Sequence, residues 1–165
     1  MLKFNLVTSP KDITKISQLA FKIWNSHYPS IIGQQQVDYM LANFQSIAAI
    51  QQQIVDQLTY FIVENDNTPI GYFAVRHFPK LNSLQISKLY IGAEQQRRGT
   101  GKATLLFIQD YGQLRDVHKL WLTVNRHNSD AILFYTKLEF EIENSLLIDI
   151  GNGFVMDDYK MSKII

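Results

Sequence analysis

Gln96-Arg97-Arg98-Gly99-Thr100-Gly101-Lys102-Ala103 is the stretch that decides the fold. It follows an apolar, strand-like segment, Leu84 to Ile91, and opens a helix-like one, Ala103 to Leu114. A strand that turns through glycines into a helix leaves several backbone N–H groups pointing one way. With the positive end of the helix dipole, they form a phosphate site. Two arginines and a lysine beside them favour a multiply charged anion such as a pyrophosphate. Two other glycine loops fail on spacing. A P-loop needs Gly where the chain has Gln96, and Ser or Thr where it has Ala103. A dinucleotide fingerprint needs a third glycine where the chain has Thr104, and it follows a first strand instead of a mid-chain one.

Working outward, Phe4 to Val7 reads as a first strand. Ser9-Pro10-Lys11-Asp12 is a helix start, with Ser9 as N-cap and Pro10 at the first helical position. Ile13, Ile16, Leu19, Ala20, Ile23 and Trp24 recur at helical spacing up to Tyr28-Pro29. The spacing predicts a second helix over Ile32 to Phe44 and a further short one over Ile47 to Leu58. At Thr59 the character changes to strands: Tyr60 to Val63, Ile70 to Arg76 and Leu84 to Ile91. After the glycine loop and its helix come a strand over Lys119 to Val124 and a helix over Ser129 to Leu138. A hairpin then turns at Gly151-Asn152-Gly153, joining Glu141–Ile150 to Phe154–Met161. The order β-α-α-β-β-β-α-β-α-β-β predicts an α/β (α+β) chain with a mixed, mostly antiparallel seven-stranded sheet and helices on both faces. The two strands joined through the glycine-loop helix are expected to be parallel.

The 165 residues suit one domain over 1–165. A hydrophobic content of 46% and a net charge of +1 describe an ordinary globular protein with no global field to attract nucleic acid or an acidic membrane. The absence of cysteine excludes a disulfide scaffold, a cysteine nucleophile and a thiolate metal site. No metal is expected. The N-terminus lacks signal-peptide character and no apolar run reaches membrane-spanning length, so a cytoplasmic location is expected.

A second signature runs from Asn128 through Ala131, Phe134-Tyr135-Thr136-Lys137-Leu138 to Glu139-Phe140. The glycine loop, the element order and this segment together resemble the GNAT superfamily of N-acyltransferases, and the resemblance extends from end to end of the chain. It implies acetyl-CoA as acyl donor, with transfer to a primary amine. By that resemblance, backbone groups of Leu89, Tyr90 and Ile91 pair with the pantetheine arm and polarise the thioester. Arg97, Arg98, Gly99, Thr100, Gly101 and Lys102 surround the pyrophosphate, and Gln96, which opens the motif, is counted with them, its alternative being to shape the turn only. Asn128 reads equally as a helix N-cap and as a pantetheine contact. Tyr135 stands where the family places a tyrosine near the thioester sulfur. A phenol with an ordinary pKa of about 10 stays protonated at neutral pH and can donate to a departing thiolate. Its bland alternative is a core aromatic at helical spacing.

Two features depart from the family pattern. Where the family has glycine before the final Phe, this chain has Glu139, which predicts a reshaped helix end. Where many members carry a glutamate on the strand before the loop, this chain offers only Gln85 and Ser87. A water chain is then the expected route for the amine's proton, with Glu64, His77 and Asp158 as distant alternatives. Trp24, His27, Tyr28, Tyr39, Tyr72 and Phe78 are candidates to line the acceptor site. Of Asp157-Asp158, strand alternation sends one to each face, so one could meet a cationic amine. Trp24, Tyr28, Tyr72 and Asp158 are the acceptor-binding candidates. The acidic pair and the Trp-x-x-x-Tyr region resemble the branch that includes bacterial polyamine N-acetyltransferases. The expected partner is a small amine, with neither nucleic acid nor membrane, and the chain acts as a monomer or homodimer. The competing readings are a non-catalytic acyl-CoA sensor, an acetyltransferase of a protein N-terminus or lysine, and a nucleotide-binding oxidoreductase.

Overall fold

The computed structural model describes residues 1–95 and 98–165. Gln96 and Arg97, two of the expected pyrophosphate contacts, lie outside the described residues. The elements run β1 (Leu2–Leu6), α1 (Pro10–His27), α2 (Pro29–Ile32), α3 (Gln34–Phe44), α4 (Ile47–Val55), β2 (Thr59–Asn65), β3 (Thr68–Phe78), β4 (Ser83–Ile91), α5 (Thr100–Gln113), β5 (Lys119–Asn125), α6 (Ser129–Lys137), β6 (Glu141–Gly151) and β7 (Phe154–Ile164). The seven strands follow the order β1-β2-β3-β4-β5-β7-β6. The pairs β1–β2, β2–β3, β5–β7 and β6–β7 are antiparallel, and β4–β5 is parallel, as the helical crossover between them requires. This is the mixed, mostly antiparallel sheet that the element order predicts.

The chain divides into two units, Met1–Arg76 with Lys88–Leu106, and His77–Ser87 with Phe107–Ile165. In the first, Ser9 caps α1 in a full capping box: its side chain accepts from Asp12 N, and the Asp12 carboxylate accepts from Ser9 N. The α1 face made by Ile13, Ile16, Ala20, Ile23 and Trp24 is buried. Tyr60 to Val63 on β2 and Ile70 to Val75 on β3 are buried without alternation, so both faces of the sheet are covered there. The helix expected over Ile32 to Phe44 is α3, which starts two residues later at Gln34 and is preceded by the short α2. Gly33 separates the two at φ +82 and ψ 154, a conformation that no helix continues through.

In the second unit β5 alternates, burying Leu120, Leu122 and Val124. β6 is the sheet edge and stays mostly exposed. The end of α6 corrects the expectation of a reshaped turn. Glu139 takes φ +68 itself. Phe140 N donates to Tyr135 O at 3.1 Å and Glu139 N to Thr136 O at 3.0 Å, a Schellman closure built without glycine. The ladder hydrogen bonds of β6 and β7 that follow fix the chain's exit, so the left-handed residue is retained and its cost accepted.

Candidate active site

β4 carries the strand that leads to the glycine loop. Its parallel ladder with β5 spans Ser83–Gln85 against Lys119–Trp121, and β4 then continues to Ile91. Leu89, Tyr90 and Ile91 therefore lie beyond the paired segment, where the family resemblance needs main-chain groups. β3 approaches them closely at Gly71: a Cβ there would sit 2.5 Å from the Tyr90 carbonyl oxygen and 2.7 Å from Ile91 Cδ1. Gly92 N donates to Ile70 O at 2.8 Å, which holds the end of β4 against β3.

After the 3-10 turn Ala93–Gln95, the chain enters α5 through Gly99. Gly99 has φ +80, its Cβ position faces open space, and its carbonyl accepts from Ala103 N at 2.9 Å. Glycine is required there by conformation alone, and it serves as the N-cap. Thr100 is buried, and its carbonyl accepts from the Thr104 hydroxyl at 2.9 Å, which anchors the first turn. Arg98, Gly99 and Lys102 are exposed and Gly101 is half-buried in that turn. The loop thus joins a helix N-terminus to two exposed cations on one short segment, the arrangement that binds a multiply charged anion.

Three acceptor-binding candidates are brought together around the same strand. Trp24 stacks on Tyr28 with ring centroids 4.4 Å apart and meets Tyr90 edge-on at 5.3 Å. Tyr28 meets Tyr90 at 6.1 Å, and the Tyr72 ring lies 5.3 Å from that of Tyr90. His27 packs edge-on against Tyr28. Trp24 Nε1 is buried beside the Tyr72 hydroxyl without making a hydrogen bond of good geometry. Tyr72 is fully buried, and burial pushes its phenol well above the ordinary value. Two of the wider candidates pack elsewhere: Tyr39 against Phe44, and Phe78 against Trp121.

The second unit holds the remaining candidates. Asn128 is buried, and its Oδ1 accepts from Ala131 N at 3.4 Å, so the N-cap reading holds. No hydrogen bond from its Nδ2 is found among the described residues, so the cap leaves the amide donors to another use. Tyr135 is 9% exposed, with Phe134 and Phe140 edge-on at 5.2 and 5.6 Å. Its hydroxyl has no partner among the described residues, and burial raises its pKa above the ordinary phenol value.

Asp157 and Asp158 take opposite faces as expected. Asp157 pairs with Arg126 at 2.6 Å. Asp158 is only 4% exposed and joins none of the ion pairs among the described residues. Burial, reinforced by the Asp157 charge, pushes its carboxyl up to about 6, against the opposing hydrogen bond from Thr123. Sequence reasoning missed two elements of this picture, Gly71 and Lys88. A glycine and a lysine within strands carry no motif, and only the packing shows what surrounds them.

The profile of the Acetyltransferase (GNAT) family matches residues 18–140, three quarters of the chain, including both signatures. The chain belongs to the GNAT acetyltransferase family. The GNAT chain is 22% identical over 154 residues to the spermidine N(1)-acetyltransferase of Thermoplasma acidophilum, covering 90% of this chain and 92% of that one. It is 28% identical to the Escherichia coli K12 spermidine N(1)-acetyltransferase over 88 residues, 53% of this chain and 47% of the relative. Its fold matches the PaiA N-acetyltransferase of T. acidophilum, solved in complex with coenzyme A, with a TM-score of 0.84 at 20% identity, covering 100% of this chain and 99% of that one. The ribosomal-protein-S18-alanine N-acetyltransferase of E. coli matches with a TM-score of 0.75 at 17% identity, covering 100% and 94%. Among the described residues no helix is long and apolar enough to cross a membrane, and no three His, Asp or Glu side chains gather as a metal site.

Proposed function

We propose that this GNAT chain transfers an acetyl group from acetyl-CoA to a primary amine of a small, polyamine-like molecule, by direct attack with both substrates bound. The observation that carries the reading is the turn from β4 into α5. An N-terminal helix turn capped by a positive-φ glycine, flanked by Arg98 and Lys102, lies within the residues matched by the family profile. Arg98, Gly99, Thr100, Gly101 and Lys102 bind the pyrophosphate, with Gln96 and Arg97 as further contacts. Main-chain groups of Leu89, Tyr90 and Ile91, and the Asn128 amide, hold the pantetheine arm.

Tyr135 donates a hydrogen bond to the thioester sulfur. Its raised pKa decides how it acts. An alkyl thiol has a pKa of about 8.5, below that of this phenol, so the proton stays on Tyr135 and stabilises the leaving thiolate without full transfer. Asp158 is the one buried acid among the described residues and has no counter-ion there. A cationic amine supplies that counter-ion. Of the expected aromatic contacts in the first unit, Trp24 and Tyr72 are buried, which leaves half-buried Tyr28 as the ring able to meet an aliphatic stretch of a polyamine. The amine loses its proton to solvent through water, because β4 presents Gln85 and Ser87 and no carboxylate.

The test is thiol release from acetyl-CoA across polyamines, amino acids and a short peptide, with Tyr135→Phe as control. A hydrogen bond to a charged sulfur contributes about 1.5–3 kcal/mol, so the variant is expected to lose about 10- to 100-fold in kcat. Release with a polyamine and not with the peptide supports the reading. Binding of acetyl-CoA with no release from any amine overturns it in favour of a sensor.

A further inference from the structure

Besides tyrosines, two ionisable side chains are buried among the described residues, Asp158 and Lys88. Asp158 is assigned above to the amine, and Lys88 has no role so far. It lies on β4 two residues before Tyr90. Its Nζ donates to Phe44 O at 2.8 Å, Gln45 Oε1 at 3.1 Å and Gln53 Oε1 at 2.8 Å, and stands 5.2 Å from the centroid of the Tyr60 ring. It joins none of the ion pairs among the described residues. A buried charge without a counter-ion costs several kcal/mol.

Satisfying the surrounding oxygens does not account for it. Phe44 O also accepts from Gln53 Nε2 at 3.0 Å, Gln45 Oε1 from the Tyr72 hydroxyl at 3.1 Å, and Gln53 Oε1 from the Tyr60 hydroxyl. Each acceptor keeps one donor if the ammonium is removed. What the ammonium does supply is direction. It only donates, so it turns the oxygen end of the Gln45 amide inward and excludes the NH2 end. That oxygen is the one the Tyr72 hydroxyl meets. The Tyr72 ring in turn packs on Tyr90, and Tyr90 on Trp24.

We infer that Lys88 is a positioning residue for the acceptor-binding aromatics: it orients Gln45, Gln45 holds the Tyr72 hydroxyl, and Tyr72 sets the packing of Tyr90 and Trp24. The effect on turnover rests on the acetyltransferase reading, whereas the coupling within the network does not. Burial pushes the Lys88 ammonium down to about 7. The titratable groups facing it are Tyr60 on β2 and Tyr72 on β3, both raised by burial and neutral throughout the working range. From α3, α4 and Gln45 between them come only amide and carbonyl oxygens. His27 packs on Tyr28 at the other side of the aromatic group, so a change near neutrality is assigned to the lysine by its loss in a Lys88 variant and not by elimination.

The test uses Lys88→Met, which removes the charge and strands no acceptor, and Tyr72→Phe, which removes one hydroxyl. Circular dichroism checks that each folds. In a Trp121→Phe background Trp24 is the one tryptophan left of two, and its emission reports the packing directly. The emission is expected to shift with pH around a midpoint near 7 and to lose that shift in either variant. In steady-state assays both variants are expected to raise KM for the amine several-fold, leaving KM for acetyl-CoA and kcat within two-fold. The double variant is expected to be no worse than the single ones. The gap between unmodified protein and Lys88→Met is expected to close as pH rises past 8. A Trp24 shift that persists in Lys88→Met, or additive effects of the two substitutions, overturns the inference. If the unmodified protein transfers no acetyl group, the functional reading fails, and the fluorescence still decides the coupling.

Discussion

Gly71→Ala is the substitution whose outcome the packing around the cofactor strand fixes most tightly. The added Cβ would stand 2.5 Å from the Tyr90 carbonyl oxygen, 2.7 Å from Ile91 Cδ1 and 3.1 Å from Ile91 Cα. Ordinary contact begins near 3.4 Å, so about 0.9 Å of separation must be found against a backbone atom. The Ile91 side chain can turn away, but the Tyr90 carbonyl moves only with β4 itself. Overpacking of this kind costs about 1–3 kcal/mol. For a chain of this length each kcal/mol lowers Tm by about 2–4 °C, so a fall of about 2–12 °C is expected by calorimetry. Tyr90 and Ile91 are the residues whose main-chain groups are assigned to the pantetheine arm. The same displacement is therefore expected to weaken acetyl-CoA binding, measured by titration calorimetry well below Tm. A variant with unchanged Tm would refute the close approach of β3 to β4. A lower Tm with unchanged acetyl-CoA affinity would refute the assignment of that backbone to the cofactor.

Gly99→Ala is expected to cost about 1–2 kcal/mol, since the residue sits at φ +80 in open space and the penalty is conformational; acetyl-CoA affinity is expected to fall with it, while a short anion such as inorganic phosphate serves as a competitor to locate the loss. Glu139→Gly is expected to stabilise: relief of the left-handed strain returns about 1–2 kcal/mol, the greater freedom of glycine in the unfolded chain removes about 0.5–1, and the exposed pair with Lys163 contributes little. The net gain of about 0.5–1 kcal/mol appears as a rise in Tm of about 1–4 °C, with kcat unchanged. Asp158→Asn is expected to raise KM for a cationic amine by about 10- to 100-fold, the loss of one charge-assisted hydrogen bond. Its effect on stability has the opposite sign. The folded chain binds this proton more tightly than the unfolded chain, so the aspartate's contribution is fully present below about pH 4 and declines as pH rises through about 6. Denaturant titrations of the asparagine variant should lack that decline and show equal or greater stability at pH 7.

The fold was legible because its information is local. The Ser9 capping box, the alternation along β5 and the Gly151–Gly153 turn each lie within a dozen residues and state their conformation directly. The glycine loop was legible for the same reason: one positive-φ residue and one helix start are properties of neighbours in sequence. The errors came where local preference met a tertiary constraint. Gly33 moves the start of the expected second helix from Ile32 to Gln34, because periodicity does not report φ. Glu139 stands in a conformation that disfavours it, because the strands that follow dictate where the chain must leave α6. In both places the residue identity was visible and the direction of the remaining chain was not.

Charge in the interior is the part that no pattern in the sequence announces. Lys88 falls on an alternating strand, where a lysine ordinarily marks the solvent face, and Asp158 is one of an adjacent pair that alternation divides without saying which is buried. The structure makes these two the buried charges of the described residues, each without an ion-pair partner there. A protein of marginal stability does not keep two such groups for packing, since an apolar side chain of the same size would cost less. The two differ in what they lack. Lys88 has all three of its donors satisfied and so can act only by holding its neighbours, whereas Asp158 has one hydroxyl partner and an uncompensated charge that a bound cation would neutralise. That difference separates a positioning role from a binding role. It also requires that Asp158→Asn weaken the amine most where the amine is fully charged, while Lys88→Met weakens it most below pH 7, where the lysine itself is charged.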